Sequence, residues 1–428
     1  MRSPGIAIFR AQLGNKMIQN TVGATARHPA SLRTQDPGMS KRLMTLLACA
    51  CGLIAANIYY AQPLIGPISS ELNLPKEAGG LIVTLTQIGY GAGLLLVVPL
   101  GDLFENRRLA ISILVIGAFG LLISGIASSA APFLAAALMV GLGSVTVQIL
   151  VPYAAHLSPE ATRGRVVGNV MSGLMMGIML ARPLASLITN FSSWRVVFFF
   201  SCAIMIGLTL ILRSALPLRP VTAKMSYGKM LASMAHLVRT TPALRRRALY
   251  HACMFGAFSL FWTITPLLLM GPAFGFSQRG IALFALAGVA GAVAAPIAGR
   301  IADRGWIRSA TAAAMMMAVA VFAMTHIAVL GSNLSLALFV LAGIILDFAV
   351  SANLVLGQRV IFALAPEFRA RLNGVYMTTF FFGGAFGSAL GSWVFARYGW
   401  NGASAAGIAF GLIALGYFAT EKASGSRA

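Results

Sequence analysis

Apolar stretches of about twenty residues, nearly free of charge, recur along this chain and restrict what it can fold into more than any other feature. Twelve are read, at 43–64, 80–100, 109–130, 133–155, 167–189, 196–216, 249–271, 280–299, 309–330, 334–357, 373–396 and 402–419. Each is long enough to cross a bilayer as a helix, the element that satisfies its own backbone hydrogen bonds inside lipid. Charged residues are only 10% of the chain and hydrophobic residues 58%. A water-facing protein carries roughly a quarter charged residues, so lipid is the solvent here. The fold class expected is an all-α membrane protein of twelve transmembrane helices.

The charge that remains is one-sided. The chain has 32 Lys and Arg against 10 Asp and Glu, a net +22. Basic residues gather in alternate gaps between spans, which is the positive-inside pattern rather than a nucleic-acid-binding face. With the N-terminus inside, 27 of the 32 lie on the cytoplasmic side. Lys76, Arg195, Arg279 and Arg397 fall outside, and Arg182 lies within a span. Both termini are therefore expected in the cytoplasm, in the cell inner membrane.

Residues 1–42 read as a disordered cytoplasmic tail, with Met39 an alternative start. Residues 43–216 read as one six-helix bundle, 217–248 as a basic cytoplasmic linker, 249–420 as a second bundle and 421–428 as a tail. Cys49, Cys51, Cys202 and Cys253 lie in apolar stretches without CxxC spacing, so free thiols are expected and no metal site. No G-x-x-x-x-G-K loop occurs, which argues against P-loop nucleotide hydrolysis. His156, His251 and His326 are expected at helix ends, and neither an enzyme nor a cofactor is implied.

The two bundles repeat. Arg163 and Arg369, Arg165 and Arg371, Gly168 and Gly374, Met171 and Met377, Gly177 and Gly383, and Trp194 and Trp400 are each 206 residues apart, with Pro159-Glu160 and Pro366-Glu367 one residue off that spacing. Several matches at one offset imply a duplicated six-helix unit.

Three features carry mechanism. Asp102 with Arg107 and Arg108 follows the second span, and Asp303 with Arg304 follows the eighth. An acid at such a helix end can pair with arginines and a helix N-terminus, latching the halves. Gly173, Gly177, Ala181 and Ala185 on the fifth span, echoed by Gly383, Gly387 and Gly391 on the eleventh, form small faces for close packing. Finally, Arg182 and Asp347 are the charges well inside the spans, where each costs about 2.5–3.5 kcal/mol and marks a solute or ion path. At about 1.5 Å per residue they lie roughly 10 and 20 Å from the outer boundary, an offset an extended Arg could bridge. Arg cannot readily deprotonate, which leaves Asp347 to carry the proton. Asn57, Tyr59, Tyr60, Gln62, Gln87, Gln148, Asn353 and Gln358, with Tyr153, Phe258 and Trp262, complete a candidate cavity suited to an amphiphilic or cationic solute.

The two acid-and-arginine loops resemble the major facilitator pattern G-x-L-A-D-R-x-G-R-R. The second keeps glycine, aspartate and arginine as Gly299, Asp303 and Arg304. The first departs at Val98, Leu103 and Glu105-Asn106. The run from Asn57 to Pro63, with Asp347 and the Gln358-Arg359 to Asn373 stretch, is similar to the arabinose-efflux-permease-like branch of the drug:proton antiporters. The fifth-span glycines resemble that group's helix-5 motif, although Ala181-Arg182 stand where it has a Gly-Pro pair. The resemblance implies a monomer of two six-helix bundles whose partners are lipid, protons and a small solute, working by proton-coupled efflux. A proton-coupled importer of a sugar or other metabolite fits the same fold.

Overall fold

The computed structural model describes residues 40–218, 226–365 and 368–421. The tail before residue 40 with Met39, Arg219 and Lys224 of the linker, the Pro366-Glu367 pair and the tail from residue 422 lie outside them. The described chain is helical throughout. Its α-helices are α1 (Lys41–Ala56), α2 (Ile65–Glu71), α3 (Leu81–Leu96), α4 (Asn106–Ile126), α5 (Ala130–Ser144), α6 (Val147–His156), α7 (Glu160–Phe191) and α8 (Trp194–Ala215). After these come α9 (Tyr227–Thr240), α10 (Pro242–Met270), α11 (Gln278–Ala285), α12 (Ala294–Asp303), α13 (Ile307–Met324), α14 (Asn333–Leu364) and α15 (Arg369–Ala419).

Ten helical stretches among these residues are long and apolar enough to cross a membrane. Two local features bear on that count. At 51 residues α15 would run roughly 76 Å, more than twice a hydrocarbon core of about 30 Å. It turns at Gly399, where φ is 59° and ψ −154°, a conformation open to glycine. Between α1 and α2 the helix loosens. Asn57, Ile58 and Tyr59 donate three residues back, to Ile54, Ala55 and Ala56, at 3.3, 3.2 and 3.0 Å. Pro63, in the 3₁₀ turn Gln62–Leu64, has no N–H to give. A polar segment is thus held buried where a straight helix would have passed.

The small-residue faces do what their spacing implies. A side chain on Gly173 or Gly177 of α7 would strike the α1 backbone at Ala48 or Gly52. One on Gly383 or Gly387 of α15 would strike α10 at Ala252 or Gly256. The duplication extends into the core. Phe133 packs edge-on to Trp194 at 5.6 Å, and Phe339 meets Trp400 at 4.8 Å, each pair displaced by the same 206 residues.

The expected linker is shorter than 217–248, because α10 begins at Pro242. Arg246 caps the last helix at Tyr417 O, 3.1 Å. Arg247, buried, donates to Thr311 at 3.0 Å and pairs with Glu421 at 3.5 Å. The basic run fastens helix ends instead of trailing through a linker. Before it, α9 packs Met234 and Leu237 against Leu244, Ile361, Leu372 and Tyr376, so its apolar stripe faces protein.

The helix ends bearing Arg107 (α4), Arg163 (α7), Asp303 (α12) and Arg359 (α14) share one end of the bundle, called here the basic end. Glu71, Lys76, Arg195 and Arg279 lie at the far end. The amino- and carboxy-terminal halves of the chain meet from the far end to the middle. Ser388 donates to Gly80 O (3.0 Å), Thr84 to Ala385 O (3.0 Å), Thr378 to Gly91 O (3.4 Å), Gln87 to Ser259 (3.0 Å) and the Arg279 N–H to Asn190 (3.2 Å). Toward the basic end α7 is exposed from Glu160 to Arg165, and Gly164, Gly168 and Gly299 face open space. At the basic end α9 reaches the amino-terminal half, Tyr227 donating to Leu96 O at 2.7 Å.

Candidate functional site

Midway along the line where the halves meet, α7 presents Arg182, 3% exposed. Its Nε donates to Gln62 Oε1 at 2.7 Å, and the α1–α2 break supplies that glutamine. Three rings surround the guanidinium: Tyr59 at 5.1 Å, Phe258 at 5.2 Å and Trp262 at 4.5 Å. The Trp262 indole N–H donates to Asp347 Oδ2 at 2.8 Å. Arg182 and Gln62 belong to one half, whereas Trp262 and Asp347, on α10 and α14, belong to the other.

The two intramembrane charges thus converge without touching. Among the described residues no ion pair joins them, and the indole stands between, stacked on the cation and bonded to the anion. Two glycines of the 3₁₀ turn Leu286–Val293 make room for this arrangement. A methyl on Gly288 would sit 3.2 Å from Arg182 Nη1 and 3.3 Å from the Trp262 ring. One on Gly291 would sit 3.4 Å from Asp347 Cβ. A 3₁₀ stretch inside a spanning segment is itself a common sign of a functional hinge.

Of the expected cavity residues, Arg182, Asp347, Trp262, Tyr59, Gln62 and Phe258 come together. Tyr60 is buried in the same broken segment. The remaining polar ones are held by neighbours. Asn57 accepts from Ser201 and donates to Met205 at 3.4 Å; Gln148 donates to Tyr90 at 3.0 Å; Tyr153 donates to Pro217 O; Gln358 donates to Asn373 at 3.1 Å. Asn353 lies 3.2 Å from His251, and Gln87 binds Ser259 across the halves. Inside lipid an amide without a partner is costly, and these have found partners on adjacent helices.

His251 needs a correction. It was expected near a helix end, but it lies inside α10, fully buried, stacked on Tyr376 at 5.0 Å and Phe380 at 4.3 Å. Its neighbours Tyr250, Ala252 and Cys253 are buried as well, so α10 is enclosed on every side at this level.

The loop acids also pair differently from the expected latch. Asp303 binds Arg359, joining α12 to α14 within one half. Asp102 and Arg304 are exposed. At the first loop the working acid is Glu105, which caps α4 by accepting from the Arg107 and Arg108 N–H groups, each at 2.9 Å. Arg107 in turn donates to Leu216 O at 3.0 Å.

At the far end, Glu71 accepts from Trp194 at 2.6 Å and from Arg195 at 2.8 and 3.0 Å. Arg195 also donates to Gly125 O and Ala127 O. The Arg195 and Trp194 hydrogen bonds hold the Glu71 carboxyl below the ordinary carboxylate range.

The chain is thus a repeat-built helical bundle whose two halves meet around a charged centre. The chain belongs to the Major Facilitator Superfamily, whose family model matches residues 47–353. It is similar to Uncharacterized transporter YgaY of Escherichia coli O157:H7, with 38% identity over 377 residues, covering 88% of this chain and 95% of that one. Among solved structures it resembles the nucleoside transporter NupG, with TM-score 0.68 and 15% identity over 88% of this chain and 97% of that chain. It also resembles a bacterial homolog of the human lysosomal transporter Spinster, inward-facing and unoccupied. There the TM-score is 0.70 and the identity 14%, over 88% and 95% of the two chains. At such identities the likeness is one of fold. The protein is a multi-pass membrane transporter and not an enzyme.

Proposed function

We propose that this protein is a proton-coupled transporter of a small amphiphilic solute, working by alternating access in the cell inner membrane as a monomer. Twelve spans are counted by adding to the ten long helices the broken first stretch Lys41–Leu64 and the second arm of α15 beyond Gly399. The positive-inside rule turns the basic end and both termini to the cytoplasm. Reporter fusions after residues 220 and 425 are expected to read cytoplasm, and fusions near 73 and 275 periplasm. A periplasmic reading at 220 would break this topology.

One observation carries the coupling: Asp347 and Arg182 sit in different halves and communicate through Trp262. Rocking the halves must change their separation, and the carboxylate is the member that can exchange a proton. The test uses vesicles containing the purified protein, an imposed pH gradient and a trapped pH-sensitive dye. Solutes found by susceptibility and uptake screening of a deletion strain are then added. Asp347→Asn is expected to abolish solute-linked proton movement in a protein that still inserts and folds. Full retention of that movement removes Asp347 from the coupling step.

The antiporter resemblance favours export. Import is favoured by a different observation, that Arg182 keeps donor capacity unused. A solute anion taken up there and a proton on Asp347 would neutralise one another's charge and travel together, which is symport. The sign of proton movement on adding solute separates the two.

A further inference from the structure

The hydrogen-bond inventory of the centre is lopsided. Arg182 Nη2 and Gln62 Nε2 are both buried and both without a partner among the described residues. In a planar guanidinium, Nε and Nη2 share one edge. On that edge Nε is satisfied by Gln62 Oε1, which leaves Nη2 and the amide nitrogen of the same glutamine as neighbouring free donors. A buried donor without an acceptor is costly, and two from one bonded pair are an uncompleted binding arrangement. Asp347 does not complete it, since it is bonded to Trp262. Both donors belong to the amino-terminal half and remain together when the halves part.

The aromatic residues point the same way. Tyr59, Phe258 and Trp262 would be the natural seats for a cationic solute, but all three surround the Arg182 guanidinium. A cation would meet occupied rings and a like charge. An anion would meet two free donors and a positive centre, and its apolar body would meet Tyr59 and Phe258.

We propose that the centre recognises an amphiphilic solute by an anionic oxygen head, a carboxylate, with Arg182 and Gln62 as the head-group donors. This rests on reading the centre as the solute site and replaces the cationic alternative.

The test is binding at one fixed pH to the full-length protein in detergent, with no gradient and no flux. Three probes share a body and differ in head: phenylpropionate, phenylpropanol and phenylpropylamine. Phenylpropionate is expected to raise the thermal midpoint saturably and the other two not to. Arg182→Lys, which keeps the charge and loses the fork, and Gln62→Leu are each expected to weaken phenylpropionate at least about tenfold. Should Arg182→Lys not fold, as shown by its ligand-free melt, Gln62→Leu decides. Tighter binding of the amine, no binding of the carboxylate, or unchanged affinity in a folded variant each overturns the proposal. Carboxylate binding without solute-linked proton movement sinks the coupling and leaves this proposal standing. Proton-coupled flux without carboxylate binding does the reverse.

Discussion

Arg182 and Asp347 are joined through Trp262, so if they couple as proposed, changes to them should not add. Arg182→Ala is expected to reduce flux as Asp347→Asn does, and the double variant to be no worse than the more damaging single change. Strictly additive losses in vesicle flux would mean that the two charges work independently. Glu71 illustrates a charge with a structural task. Its carboxyl titrates lower in the folded protein than its ordinary 4.5, so its contribution is present above that value and lost as pH falls through the lowered one. The side chain is about half exposed (49%), which limits the benefit to about 1 kcal/mol or less. Glu71→Gln is expected to melt lower near neutrality and to converge with the parent below pH 4.5. A gap that persists in acid would place the effect elsewhere.

The helices were largely legible in the sequence because lipid permits little else, and Arg182 and Asp347 stood out because charge inside a span is costly. What stayed hidden depends on where helices cross. Spacing along the chain showed that Gln87, Gln148 and Asn353 lie inside the bundle. It could not show that Ser259, Tyr90 and His251 would take up their hydrogen bonds. Nor could it place Trp262 between the charges, since α10 and α14 are distant in sequence. Gly288 and Gly291 looked like ordinary glycines of an apolar stretch. The fifth-span glycines were legible as a packing face, and their partner is now identified. Gly177→Ala would drive a methyl into the Gly52 backbone and is expected to cost about 1–3 kcal/mol. Gly207→Ala, where nothing lies within 4 Å, is the control and should be neutral or mildly stabilising in the same melting assay.

Across the whole molecule, the proposed alternation of access requires the contact between the halves at the far end to open. Cysteines at Thr84→Cys and Ala385→Cys place a disulfide where a hydroxyl now meets a carbonyl. Oxidation is expected to stop flux and a reductant to restore it; undiminished flux in the oxidised form would mean that this end need not open. The strength of the seal has a further consequence. Among the described residues five hydrogen bonds join the halves from that end to the middle, from Ser388, Thr84, Thr378, Gln87 and the Arg279 N–H, worth together roughly 3–7 kcal/mol net, beside apolar contacts such as Tyr90 with Phe381 at 4.3 Å. Moving a two-state population from 1:99 to 99:1 takes about 5.5 kcal/mol, a similar quantity. Selection for function therefore caps the stability of this contact. A variant with two or three added bonds there would outlast the parent on heating and yet turn over more slowly, because binding energy sufficient to open the present seal would no longer open that one.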